Sequence, residues 1–306
     1  MIPVQTTHDD APDALKGLFG EIGDLKRVRS AGRHGTVATR LFRAAWSELV
    51  AGAPLPEVAR RITAQALAAA RLGDIDRPLL IEAGLPAAEV NGVLCRAVEE
   101  ISAPVPEPLR SALVSAIAVP GPGRPADLPR FVGQLEDQPR AGVTCPGRPR
   151  IVLEPAENHA EHCLVVAVYG VILAPRYGAD PATVFLAALA HHFHNAGMPD
   201  SGFTGEMLLG DHLGPVMQHF VDDALGSLEP GLRRRVAEAR ECLADAETPE
   251  GRAFHAADVV DRVMEIAQHL RSASLTMDVV LGDMALVHDG PVKPFHDRVL
   301  AEMRIP

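Results

Sequence analysis

Apolar positions along the chain recur at helical spacing rather than in strand-like alternation, and Gly and Pro cut them into discrete segments. Before about residue 118, LFRAAWSELVAG, PEVARRITAQALAAARLG, PAAEVNGVLCRAVEEI and PEPLRSALVSAIA each predict a helix. Breakers at Gly52–Pro56, Gly73–Pro78 and Ser102–Pro108 separate them. Residues 1–12 read as loosely attached. Residues 119–150 are dense in Pro and Gly with no periodic segment, which predicts a linker or a long connection. The pattern then resumes. Asn158 followed by Glu161 is a capping-box spacing that opens a helix over 159–174. Pro181 opens another over 181–195. Further helices are expected over 212–225, 230–245, 249–271 and 293–303, with a less regular segment at 274–287. The expected fold class is all-α: an N-terminal helical region at 1–118, a linker at 119–150 and a second helical domain at 151–306. Residues 33–76 align with 157–200, both reading as helix, Gly/Pro turn and Ala-rich helix, so the first half reads as a degenerate copy without ligands.

Composition supports helix. Hydrophobic residues make up 47% of the chain but aromatic residues only 4%, so the core is built from Ala, Leu and Val. A net charge of −11 with no offsetting basic face excludes a nucleic-acid backbone as the main partner. The basic clusters RVRSAGR (27–33) and RRR (233–235) read as solvated helix faces. Cys95, Cys145, Cys163 and Cys242 are scattered and read as reduced thiols. The start is polar and acidic, unlike a signal peptide. The longest apolar run, 163–174, falls short of the ~20 residues of a membrane span. The expectation is a cytoplasmic protein with no membrane partner.

The chemistry gathers at the polar ends of the helices at 159–174 and 181–195, which carry His159, His162, His191, His192 and His194. Packing gives apolar helices no reason to end in imidazoles, and imidazole is a favoured ligand for transition metals. Helical spacing puts His159 and His162 on one face, His191 and His194 on another, and His255 and Asp258 on a third. Neutral imidazoles and a carboxylate supply lone pairs, and facing helices can aim them at one point. His191 and His192 diverge by about 100° within a helix, but at a helix end both can straddle one ion. Asp258, in HAADVVDRV, is the fourth corner. The expected ligands are therefore His162, His191, His192 and Asp258, and the expected cofactor is a divalent ion (Mn, Co, Ni, Zn or Fe). Glu206, Asp211, Asp222 and Asp223 read as helix caps or solvated acids. Asp261, Arg262 and Glu265 read as a salt-bridged exposed face. His34 reads as surface, Trp46 as core, and the His288-Asp289 and His296-Asp297 pairs are discounted for want of an apolar helix before them.

These residues resemble the HD-domain superfamily of metal-dependent phosphohydrolases, and most closely its 5'-deoxynucleotidase branch. The resemblance rests on Glu157-Asn158-His159-Ala160-Glu161-His162, on LAALAHH ending in His191-His192, and on Ala257-Asp258 within TPEGRAFHAADVVDRVMEIAQHLR. It covers about 148–271. It implies an HD-like helical bundle in which His162, His191 and Asp258 hold the metal. It also implies that Asp200 is an acid near the scissile phosphate, and that Arg148, or Arg150 in its place, binds that phosphate. The implied substrate is a small phosphomonoester such as a nucleotide.

Two positions depart from the family pattern: His192 replaces the aspartate of the HD pair, and Asn195 replaces a glutamate that orients water. Asparagine cannot act as a general base. Three readings follow. The first is a hydrolase in which His194 takes over proton transfer with Asp200. The second is a di-iron oxygenase drawing on His212 and His219. The third is a non-catalytic scaffold or binding protein. The N-terminal half either covers the pocket or supports a homodimer.

Overall fold

The computed structural model describes residues 11–121, 127–270 and 276–305. Among these it is all-α, with no strand, only isolated bridges between Pro139 and Asn158 and between Val143 and Ile151. The first half contains α1 (Ala11–Gly23), α2 (Val37–Val50), α3 (Leu55–Leu72), α4 (Arg77–Glu82), α5 (Ala87–Ile101), α6 (Leu109–Ala118) and α7 (Arg130–Asp137). The second contains α8 (His159–Tyr177), α9 (Pro181–Ala190), α10 (Gly202–Leu209), α11 (Leu213–Gly226), α12 (Pro230–Arg240), α13 (Pro249–Leu270) and α14 (Lys293–Glu302). None of the described helices is long and apolar enough to cross a membrane.

The middle of the molecule is α8. Every residue from His159 to Ala174 is buried, because a helix that is apolar all round has to be enclosed on every side. Its enclosure consists mainly of α9, α13, α2 and α3. The predicted capping box is present: Asn158 Oδ1 accepts from Glu161 N–H, and Glu161 Oε2 from Asn158 N–H, both at 2.9 Å. The other oxygen of Glu161 accepts from the hydroxyls of Thr36 at 2.6 Å and Thr39 at 3.2 Å, so the starts of α2 and α8 are tied together. One continuous apolar cluster runs through both halves of the chain. Gly170 permits a close approach within it: a Cβ there would stand 2.6 Å from Val184 Cγ1 of α9.

Several local expectations need correction. The stretch at 119–150 carries α7, whose Phe131, Val132 and Leu135 form a buried face. Residues 122–126 of that stretch, residues 1–10 of the N-terminal segment, and 274 and 275 of the irregular segment lie outside the described residues. The helix predicted over 181–195 stops at Ala190 and gives way to a 3-10 turn, Phe193–Ala196. Two donors satisfy the released carbonyls: His191 Nδ1 reaches Ala188 O at 2.6 Å, and the Arg240 guanidinium reaches Ala190 O. Beneath the turn, Phe193 packs on Phe131 and Trp46 with ring centroids 4.5 and 5.5 Å away. Aromatic packing of this kind ties α2 and α7 to the turn that follows His191 and His192.

Candidate metal centre

Three helices meet at the candidate centre. His162 comes from the first turn of α8, His191 from the end of α9, and Asp258 from the middle of α13. His162 Nε2 lies 3.1 Å from His191 Nε2 and 3.2 Å from Asp258 Oδ1, and His191 Nε2 is 4.0 Å from the same oxygen. Ligands 2.1 Å from one ion at right angles would be ~3.0 Å apart, so these atoms have the spacing of a shared cation. His192 closes the group: its ligand nitrogen lies within 4.8 Å of those of His162 and His191.

The tautomers point the same way. His162 Nδ1 donates to Asp261 Oδ2 at 2.7 Å, His191 Nδ1 to Ala188 O at 2.6 Å, and His192 Nδ1 to Asn195 Oδ1 at 2.8 Å. Each of these acceptors lacks a hydrogen of its own, so each ring carries its proton on Nδ1 and leaves the Nε2 lone pair free. An oxygen behind each ligating imidazole is the usual support of a metal-bound histidine. Burial, reinforced by His162 beside His191 and by His191 beside His192, holds both rings well below the ordinary imidazole range, so both are neutral. Burial alone would raise Asp258. The neighbouring His162, Arg262 and His191 outweigh it, and the carboxyl sits well below its usual range. Neutral nitrogen beside ionised oxygen is the protonation state a metal requires. The donor set fits a divalent transition ion.

The centre opens into a cleft of about 370 Å³. Arg140 and Arg262 both line it, together with His194, Asp200, Glu206 and His288. Arg262 donates to Leu286 O at 2.9 Å and stands 4.0 Å from Asp258 Oδ2. Arg140 Nε is 3.5 Å from Glu157, while its Nη1 is buried without a partner. Arg140 projects from the segment that the two isolated bridges fold over the cleft, where Gly142 takes φ +76° against Ile151 O.

The sequence-predicted residues fare differently. His162, His191 and His192 are brought together, with Asp258 beside His162 and His191. Arg148 and Arg150 are exposed and absent from the cleft wall, and Arg150 donates instead to Ser201 O at 3.1 Å. Asp200 does line the cleft, but its oxygens accept from Ala141 N–H and Gly202 N–H, both at 2.9 Å. These bonds and His159 outweigh burial and keep the Asp200 carboxyl far below its usual range. It is an anion that ties down the cleft rim. His194 lines the cleft with Nδ1 unpartnered, and burial pulls its pKa down to about 4. His212 and His219, which an oxygenase would need, are exposed on and beside α11 and do not line the cleft. No family model, curated protein or solved structure matches the chain.

Other expectations are reversed. Asp261 and Glu265 are buried, not exposed. With Asp258 and Arg262 they form one face of α13 at i, i+3, i+4 and i+7. Glu206 and His288 line the cleft, although the sequence assigned one to solvent or a cap and discounted the other. The largest omission is Lys26, from the short turn after α1. Its ammonium is buried against Glu157 at 2.6 Å, Asp261 at 2.7 Å and Glu265 at 3.4 Å. A lysine beside RVRSAGR carries no local sign of burial. Only the unpaired acids of α13 could have pointed to it.

Proposed function

We propose that the cleft is the active site of a metal-dependent phosphohydrolase of the HD type, acting on a small phosphomonoester of about nucleotide size. The observation that carries this reading is the convergence of three imidazoles and one carboxylate beside a cleft that two arginines also line. His162, His191, His192 and Asp258 hold the ion. When bound, a divalent ion supplies Lewis acidity toward a phosphoryl oxygen and makes water more acidic.

The chain's own residues supply the rest. The Arg140 and Arg262 guanidiniums face the same space, and planar guanidinium matches the oxygens of a phosphoryl dianion. Arg140 Nη1, buried and unpartnered, is the donor that such a ligand would satisfy. The organic body of the substrate lies against Phe203, Phe254, Leu243, Ile266 and Leu286, the apolar part of the lining. Asn195 has no basic atom. The neutral ring of His194 is the cleft-lining base, with a free lone pair at neutral pH.

The test is metal analysis of protein purified without chelator, followed by turnover of a panel of nucleoside monophosphates and other phosphomonoesters. Bound transition metal, with turnover lost on chelation and regained on adding metal back, is expected. Protein that stays folded but takes up no ion and turns over nothing would remove the reading.

A further inference from the structure

The centre has a second place that a cation can occupy, and a lysine already fills it. Glu157, His162 and Asp261 form a separate, fully buried group with ligand atoms within 4.8 Å of one another. Lys26 Nζ lies among them, 2.6 Å from Glu157 Oε2 and 2.7 and 2.8 Å from the two oxygens of Asp261. Its side chain is 1% exposed, as is that of Asp261. A buried ammonium persists only where carboxylates compensate its lost hydration, and buried carboxylates need the ammonium for the same reason. Burial opposes the charge on Lys26, but Asp261, Glu157 and Glu265 outweigh it and raise its pKa well above the ordinary range. The local charges balance: Arg27 pairs with Glu265 at 2.6 Å and Arg140 stands 3.5 Å from Glu157.

His162 belongs to both places, and this decides between them. Its Nδ1 proton goes to Asp261, so only Nε2 is left as a ligand, on the side of His191 and Asp258. Lys26 fixes that choice by holding both oxygens of Asp261. We propose that Lys26 is a built-in cation of the metal centre: its ammonium takes the place of a second ion, and through Asp261 it positions His162 to serve one ion only. The N-terminal half of the chain thereby contributes directly to the site, as a positioning residue that touches no substrate. This inference rests on the reading of His162, His191, His192 and Asp258 as metal ligands.

Titration with Mn²⁺, which suits the oxygen-rich set of Glu157, Asp261 and Glu265, tests it through stoichiometry by elemental analysis and the EPR signal of bound Mn²⁺. Wild type is expected to take one ion per chain with an isolated-ion spectrum. Lys26→Ala is expected to take two, with a spin-coupled spectrum. Two ions in wild type would overturn the proposal while leaving the metal centre intact; none would overturn the metal centre itself. One ion in folded Lys26→Ala, bound as tightly as in wild type, would also overturn the role of Lys26. If Lys26→Ala is unfolded without metal, millimolar Mn²⁺ is expected to restore its helical circular dichroism with two ions bound. Failure of Mn²⁺ to do so would count against the exchange of ammonium for ion.

Discussion

Asn195 Oδ1 lies 2.8 Å from His192 Nδ1, and the amide nitrogen of Asn195 donates to Met198 O at 3.2 Å. Asn195 therefore holds the His192 ring by its Nδ1 and leaves Nε2 as the nitrogen available to an ion. Asn195→Ala is expected to weaken metal binding by about 10–100-fold, the usual effect of removing the group behind a ligating histidine. Asn195→Asp keeps the acceptor and is expected to bind metal within a few-fold of wild type. Isothermal titration with Zn²⁺ or Mn²⁺ separates the two. Equal affinity in wild type and Asn195→Ala would show that His192 is not held by this bond.

Arg140 and Arg262 define the second prediction. Arg140→Met and Arg262→Met each remove a guanidinium from the cleft, and each is expected to cost about 1.5–3 kcal/mol of substrate affinity, the scale of a charged hydrogen bond. Steady-state kinetics would show this as a rise in KM or a fall in kcat/KM, with metal content unchanged. Arg148→Ala and Arg150→Ala, at exposed positions outside the cleft, are expected to leave both parameters near wild type. The opposite ranking would relocate the phosphate to the exposed loop.

Where the sequence was legible, it was so for local reasons. The helical period, the Asn158 capping box and the apolar stretch at 163–174 are short-range signals, and α8 and its cap follow them. The clustered imidazoles were legible because nothing in packing explains them. Three things were not. Arg140 enters the cleft through a loop pinned by the Pro139–Asn158 and Val143–Ile151 bridges, whereas Arg148 merely sat nearer the motif in the sequence. The end of α9 at Ala190 depends on Arg240, 50 residues away. Asp261 and Glu265 looked like a solvated charge set because their counter-ion, Lys26, comes from the other half of the chain. In each case the deciding partner was distant in sequence, where periodicity and spacing carry no information.

Acid should destabilise the metal-free protein. His159 is completely buried, with neither ring nitrogen in a hydrogen bond and its Nε2 3.5 Å from Asp200. Burial outweighs the pull of Asp200 and lowers its pKa from 6.5 to about 4. Between those values the unfolded chain binds the proton and the folded chain does not. Stability is therefore fully present above pH 6.5 and is lost as pH falls toward 4, by about 3 kcal/mol for this group. Urea denaturation in EDTA at intervals from pH 7.5 to 4 measures the slope. His159→Phe, which fills the space without a titrating group, is expected to flatten it. An unchanged slope would place the acid sensitivity on other histidines.

Gly170 sits at a tight contact between α8 and α9. A Cβ there would stand 2.6 Å from Val184 Cγ1 and 3.9 Å from Ala257 Cβ of α13, so the residue lies against both helices that bring ligands to His162. Valine has little rotamer freedom, so α9 rather than the side chain has to move. Gly170→Ala is expected to cost about 1–3 kcal/mol of stability by overpacking, partly offset by the better helix propensity of alanine. Because His191 ends the displaced helix, metal affinity is expected to fall as well. Gly133→Ala in α7 is the control: its Cβ would meet nothing within 4 Å, so only the propensity gain of about 0.5–1 kcal/mol should register. Thermal melts of the two variants should therefore shift in opposite directions. A Gly170→Ala variant as stable as wild type, with unchanged metal affinity, would show that the α8–α9 contact does not set the distance between His162 and His191.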